Sequence, residues 1–374
     1  MNSTPSEQLV LDQFEATTRG ERGIGIRDRI LVLPSVICSH LVADRIAEQV
    51  SEAVSAPHDH GCAQLGADNE QTERTLVGVG QNPNIAGTVV VGLGCEEVQS
   101  SEVAEALAAQ DVPVDELSIQ GVGGTDECIA EGEKKVRSLV KRSIGSETVD
   151  AGLGDLTVGV VSGDLRSESR SVADPLVGEF VDMVIGNGGR VVIAGTERLV
   201  PHADSVLKNT ADGAQAAVKR VLERDKSRPP KDVATREAAA ECSFDEITRT
   251  YGGRPIESLV EYGQPAAFDS GVALLDSPTQ FEEAATGLAA AGAHLVVHVT
   301  TDGVPTGHPI VPTIKITGNE STAAALEEDI DIDATSTTAD ELKDFIAAVA
   351  DGQRSSTERH GLSEFAITRV GPSM

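Results

Sequence analysis

Three apolar runs early in the chain set the tightest limit on its fold. Each ends in glycine, serine or cysteine and leads into a stretch with helical spacing. "RILVLPSVICS" (29–39) precedes "HLVADRIAEQVSEAVS" (40–55), and "GTVVVGLGCEE" (87–97) precedes "SSEVAEALAAQ" (100–110). "PVDELSIQGVGGTDECIAEG" (113–132) holds a third run, a glycine loop and another helix start. Short apolar strands alternating with amphipathic helices imply an α/β domain with a parallel sheet. In such sheets ligands gather beyond the carboxyl ends of the strands. After a polar, glycine-bearing break at 141–155 the pattern restarts with "LTVGVVSGD" (156–164), "RVVIAGTE" (190–197), "AHLVVHVTTDG" (293–303) and "VPTIKIT" (311–317). The fold expected is two α/β domains with mainly parallel, Rossmann-like sheets. The boundaries read as a polar lead-in at 1–22, one domain at 23–147 and a second at 148–374. The stretch 228–263 has no clear period and is expected to be partly loop.

The charge narrows the function. Sixty Asp and Glu face thirty Lys and Arg, a net charge of −30, and the acid is spread along the whole chain. Nucleic acid needs a basic stripe, and none is present, so it is excluded as a partner. A dispersed carboxylate surface suits a salt-rich, cytoplasmic setting. No apolar run reaches the ~18 residues of a membrane helix, and the N-terminus lacks the basic and apolar blocks of a secretory signal. Five cysteines in a chain of 374 residues argue against a disulfide framework.

The stretch "APHDHGCAQLGADNEQTERTL" (56–76) is almost free of apolar residues. Cys62 with His58 or His60 offers soft and borderline ligands for iron or zinc. Arg74 can grip a carboxylate with two parallel hydrogen bonds, or pair with Glu70 or Glu73 along a helix. Gly123, Gly124 and Thr125 offer backbone N–H groups to an anion. Cys38, Cys62 and Cys95 follow apolar runs or lie in polar loops. They read as ligands of one iron or of an iron–sulfur cluster, or else as buried thiols at strand ends. Cys128 and Cys242 read as structural, and His60 as an incidental surface histidine.

These blocks, together with "QNPNIAG", "LSIQGVGGT", "PTIKITGN" and "SEFAITRVGPSM", resemble the altronate/galactarate dehydratase family, to which sulfolactate sulfo-lyase large subunits also belong. The resemblance implies β-elimination of water or sulfite from a hydroxy- or sugar acid, giving a 2-keto acid, with a divalent metal, iron in most descriptions. It assigns His58, Gln64 and Asp68 to catalysis. Gln71, Arg74, Gln120, Gly123, Gly124 and Thr125 fall to the substrate, and Cys38, Cys62 and Cys95 to the metal. It also implies a separate small SAF-domain subunit, and a homo-oligomer is expected.

The second half departs from the family pattern. A Cys-Gly-Gly-Ser-Asp segment has Ser162 and Asp164 in place of its cysteine and second glycine, and a following asparagine is Asp174. The first glutamate of Glu-Thr-Pro-Glu is Gly195. Thr-Thr-Gly-Arg-Gly becomes Thr300-Thr301-Asp302-Gly303, and a Thr-Lys becomes Ser355-Ser356. A base, a cation and a ligand are expected to be missing there. The alternative reading is therefore a catalytically degenerate paralogue serving as a metal- or ligand-binding or regulatory subunit.

Overall fold

The computed structural model describes residues 13–371. Residues 1–12 of the expected lead-in, and 372–374, lie outside these. The rest of the lead-in is structured. β1 (Phe14–Thr18) pairs antiparallel with β2 (Ile24–Gly25). The two following sheets are parallel, as expected. β3 (Arg29–Pro34), β4 (Ala53–Ser55), β5 (Ile85–Gly92) and β6 (Val114–Ser118) form a four-stranded sheet in the order β4-β3-β5-β6. β7 (Thr148–Ala151) returns to pair with β1, so the chain break is stitched to the N-terminal strand.

The second half builds a seven-stranded parallel sheet from β8 (Thr157–Ser162), β9 (Arg190–Ile193), β10 (Ile256–Val260), β11 (Gly271–Leu275), β12 (Leu295–Val299), β13 (Thr313–Thr317) and β14 (Ile332–Asp333). Its order is β10-β11-β9-β8-β12-β13-β14. The order reverses at β8, with β9 on one side and β12 on the other. A crevice is expected at that switch.

Alternation along the strands sorts the core into layers. Ile30 and Val32 of β3 pack on one face with Val42, Ile46, Val136 and Leu139. Leu31 and Leu33 point the other way, into a cluster that also holds Leu76 and Val79 of the helix Ala67–Gly80. A side-chain period of two on a strand produces this split. That second cluster continues into the other half through Val161, Val192, Ala273 and the helix Phe281–Ala290. The two sheets thus share one core. Gly78 permits the approach: a Cβ there would stand 2.4 Å from the Gly263 carbonyl oxygen.

The stretch after residue 228 is more regular than expected. The helix Asp212–Ser227 is followed by a helix at Val233–Glu241 and a short one at Phe244–Ile247. The Asp232 carboxylate accepts from Thr235 N–H at 2.9 Å, and Ser243 with Glu246 forms a reciprocal cap. Both are helix-start signals at the usual three-residue spacing. They had been obscured by the flanking Pro229-Pro230 and by an alanine-rich run without an amphipathic period.

Candidate active site

The polar stretch folds inward. His58 is buried. Its Nε2 donates to the Pro34 carbonyl at 2.7 Å, and its Nδ1 accepts from His60 N–H at 3.2 Å. Burial pushes its pKa down to about 4, so the ring is neutral and both nitrogens serve the backbone. His60 is only 2% exposed, so it is not an incidental surface histidine. Gln64 donates to its Nδ1, and Asp59 Oδ1 lies 3.1 Å from its Nε2. The Gln64 carbonyl accepts from Gly61 N–H and Thr72 Oγ1, each at 2.9 Å. A sequence with few apolar residues can form such an interior because nearly every polar atom finds a partner within the loop.

Part of the stretch receives the C-terminal segment. Asp68 Oδ1 accepts from Val370 N–H at 2.6 Å and Gly371 N–H at 3.1 Å, and Gln71 donates to the Thr368 carbonyl. Arg74 turns elsewhere: its Nε donates to the Tyr262 carbonyl at 2.9 Å, linking the two halves. Gln120 lies against Gly94 at the end of β5. Gly123 (φ 102°) and Gly124 (φ 141°) lead into Thr125 and the long helix Thr125–Ser143.

Cys38, Cys62 and Cys95 are all exposed, each on the loop that follows one of the adjacent strands β3, β4 and β5. The loops are tied together. Ile37 N–H donates to the His60 carbonyl at 2.8 Å, and Ser35 Oγ donates to Glu96 at 3.1 Å. Yet among the described residues no three His, Cys, Asp or Glu side chains form a group that could hold a metal ion. The arrangement therefore does not supply the ligand set expected for iron or a cluster. Buried Glu96 spends its carboxylate on Ser35 and on the N–H groups of Gly94 and Cys95, and the thiols face solvent. Cys128 and Cys242 are buried, as structural thiols are.

The switch-point crevice beside β8 is filled. The Asp164 carboxylate accepts from Thr301 N–H at 2.9 Å and Thr301 Oγ1 at 3.0 Å, and Arg166 forks onto Asp302. Below it Ser162 donates to the fully buried Asp174, which lies 3.4 Å from the buried Arg198. Across the gap between β8 and β12, the departing residues Asp164 and Asp302 are thus held by Thr301 and Arg166, while Ser162 and Asp174 bond to each other.

The opening lies one strand over, beyond the ends of β9 and β11. It is a cleft of about 370 Å³ that the C-terminal segment Thr368–Gly371 closes from one side. Of the residues proposed from the sequence for catalysis or substrate, Gln71 alone lines it. Opposite stand Thr196, Glu197, Arg228, Lys231 and Arg236. Glu197 is 6% exposed, accepts from Thr279 Oγ1 at 2.9 Å, and is pushed above the ordinary glutamate range, chiefly by burial. Arg224 forks onto Asp276 at 2.7 and 2.6 Å and also holds Asp225, whose other oxygen accepts from Thr196 Oγ1 at 2.6 Å. Arg236 donates to the Asp225 carbonyl at 3.0 Å, and Arg228 reaches the Val370 carbonyl at 3.4 Å. Among the described residues neither Arg228 nor Arg236 is in ion-pair contact with a carboxylate.

A buried carboxyl and several cations thus line a cleft in the second half. They come from other positions of the chain than the family pattern uses. Glu197 was visible, two residues after the Gly195 position, but its burial was not. The cations lie in the segment that the missing period left unread.

A buried carboxyl and two guanidinium groups without ion pairs among the described residues line this cleft, at the carboxyl ends of parallel strands where ligands gather in such sheets. Residues 17–143 match the second domain of D-galactarate dehydratase/altronate hydrolase, and residues 243–373 match the C-terminal domain of D-galactarate/altronate dehydratase. The chain belongs to this dehydratase family. It is 27% identical to altronate dehydratase of Bacillus subtilis (strain 168), over 96% of this chain and 78% of that protein. Identity to the (2R)-sulfolactate sulfo-lyase subunit beta of Chromohalobacter salexigens is 25%, over 96% of this chain and 97% of that one. Altronate dehydratase of Escherichia coli (strain K12) is 26% identical over 95% of this chain and 77% of its own length.

Proposed function

We propose that the protein is a lyase that eliminates water or sulfite from a hydroxy acid bound in the cleft beyond β9 and β11. The observation that carries this reading is Glu197, a buried carboxyl with a raised pKa in a cleft with two unpaired arginines. A base tuned upward toward neutrality suits abstraction of a proton α to a carboxylate. Arg236 is linked through Asp225 to Thr196, next to Glu197, and is assigned to the substrate's α-carboxylate. Glu197 takes the α-proton, and the bond from the β-carbon to oxygen (or sulfur) breaks. A departing hydroxide takes a proton from Lys231 and leaves as water; sulfite leaves as the anion. The enol then tautomerises to the 2-keto acid, the proton on Glu197 returns to solvent, and Lys231, where it gave its proton to hydroxide, takes one back from solvent. The metal that the family resemblance implies lacks a three-residue ligand group among the described residues, so these steps are assigned to side chains alone.

A separate small partner subunit is part of this proposal. The chain aligns with almost the whole of a relative named as a subunit, and with about three quarters of two relatives not so named. The test is a screen of sugar acids and sulfolactate for 2-keto acid formation, with the chain alone and with a small SAF-domain protein co-expressed. Turnover that Glu197→Gln lowers by about 10²- to 10⁴-fold, with the melting transition kept, is the expected result. Full turnover in Glu197→Gln overturns the assignment. No turnover on any acid favours the degenerate-paralogue reading, which the filled crevice beside β8 supports.

A further inference from the structure

Most charged residues of the cleft lie in the part of the chain that neither family domain matches, while Asp276 and Arg369 lie within the second match. Glu197, Arg228, Lys231 and Arg236 all fall between residue 143, where the first match ends, and residue 243, where the second begins. Among them the two unpaired arginines stand in different places. Arg236 is half-buried on the helix Val233–Glu241 and linked to the Glu197 end through Asp225 and Thr196. Arg228 is exposed, follows the end of the helix Asp212–Ser227, and touches the closing segment at Val370. Pro229 and Pro230, with their fixed φ, lie in the turn between them.

Resting on the lyase reading, we propose that Arg228 is a specificity determinant. It recognises a second anionic group at the far end of the substrate, so the preferred hydroxy acid carries two anionic groups. A guanidinium presents a planar fork that matches a carboxylate or a sulfonate, and in a chain of net charge −30 a carboxylate neighbour is easily come by. Among the described residues Arg228 nonetheless has none within ion-pair distance. The cleft, at about 370 Å³, has room for a short acid extended from Glu197 to the Val370 side.

The test is calorimetric titration of the full chain, in one buffer of fixed ionic strength, with tartrate, 3-sulfolactate and glycerate. Either dianion binding at least tenfold more tightly than glycerate supports the proposal, and comparison of the two shows whether the distal group is a carboxylate or a sulfonate. Arg228→Ala is expected to lower affinity for the preferred dianion about tenfold and to leave glycerate within twofold. Arg236→Ala is expected to weaken all three. Arg228 is exposed, so its replacement leaves the melting transition in place as a folding control. Equal binding of dianions and glycerate, or an Arg228→Ala loss that is the same for both, overturns the proposal while the lyase reading stands. Failure of all three acids to bind the unaltered chain overturns both.

Discussion

Glu197 owes its raised pKa to its place on the loop after β9, where Thr279 gives it one hydrogen bond and burial removes water from the rest. Desolvation penalises the charged form, so the carboxyl holds its proton to a higher pH than a free glutamate. The active form of a base is the deprotonated one. Lowering the pH through the raised value therefore removes activity. The expected profile of kcat/KM has an acid limb above the ordinary glutamate range, and the residual activity of Glu197→Gln lacks that limb. A limb centred on the free-glutamate value means the cleft carboxyl is not the base. At this scale the sequence displayed residue types well and environments poorly. His58, Gln64 and Asp68 were legible as a polar constellation, but their partners are the Pro34 carbonyl, groups of the loop and its helix, and backbone N–H groups of the C-terminal segment. Spacing alone does not tell whether a side chain's lone pairs face a substrate or a neighbouring N–H.

The segment Phe365–Gly371 shows what an element adds. Phe365 lies against the rings of His58 and His308, Tyr262 Oη accepts from Thr368 N–H at 3.3 Å, and Asp68 holds Val370 and Gly371. Through these contacts Thr368–Gly371 form a wall of the cleft. Asp68→Ala leaves two backbone N–H groups without their acceptor, a loss of about 2 kcal/mol. Hydrogen exchange at the Val370 and Gly371 amides is expected to accelerate, and substrate affinity to fall because Thr368 and Val370 no longer hold the cleft. Unchanged exchange at both amides contradicts this account. The helices after residue 228 make a related point. Their caps at Asp232 and Ser243 were legible, but their path over the ends of β9 and β11, which turns Arg236 toward the cleft, depends on packing against another element.

Over the whole molecule, burial of neutral histidines governs the response to acid. Burial lowers the pKa of His58 and His294 to about 4, and of His298 and His308 to about 3. In the unfolded chain each binds a proton near pH 6.5, and in the folded chain it does not. Their contribution to stability is complete above about pH 6.5 and is lost as the pH falls toward the folded values. Each histidine steepens the loss by up to about 1.4 kcal/mol per pH unit. Asp174, Glu197 and Asp331, raised by burial, work in the opposite sense, and the four histidines outweigh them below pH 6. The urea midpoint is expected to fall steadily from pH 7 to pH 5, and a flat midpoint contradicts this balance. Among the described residues no helix is long and apolar enough to cross a membrane. The chain's own order of residues determined the strands, their parallel pairing and the family, because those follow from local periodicity and from motifs read in line. Only the tertiary structure decided where the cleft lies. Closing the crevice beside β8 and opening one beyond β9 and β11 depends on side chains more than a hundred residues apart, such as Asp164 and Thr301 or Gln71 and Thr368, meeting across a shared core.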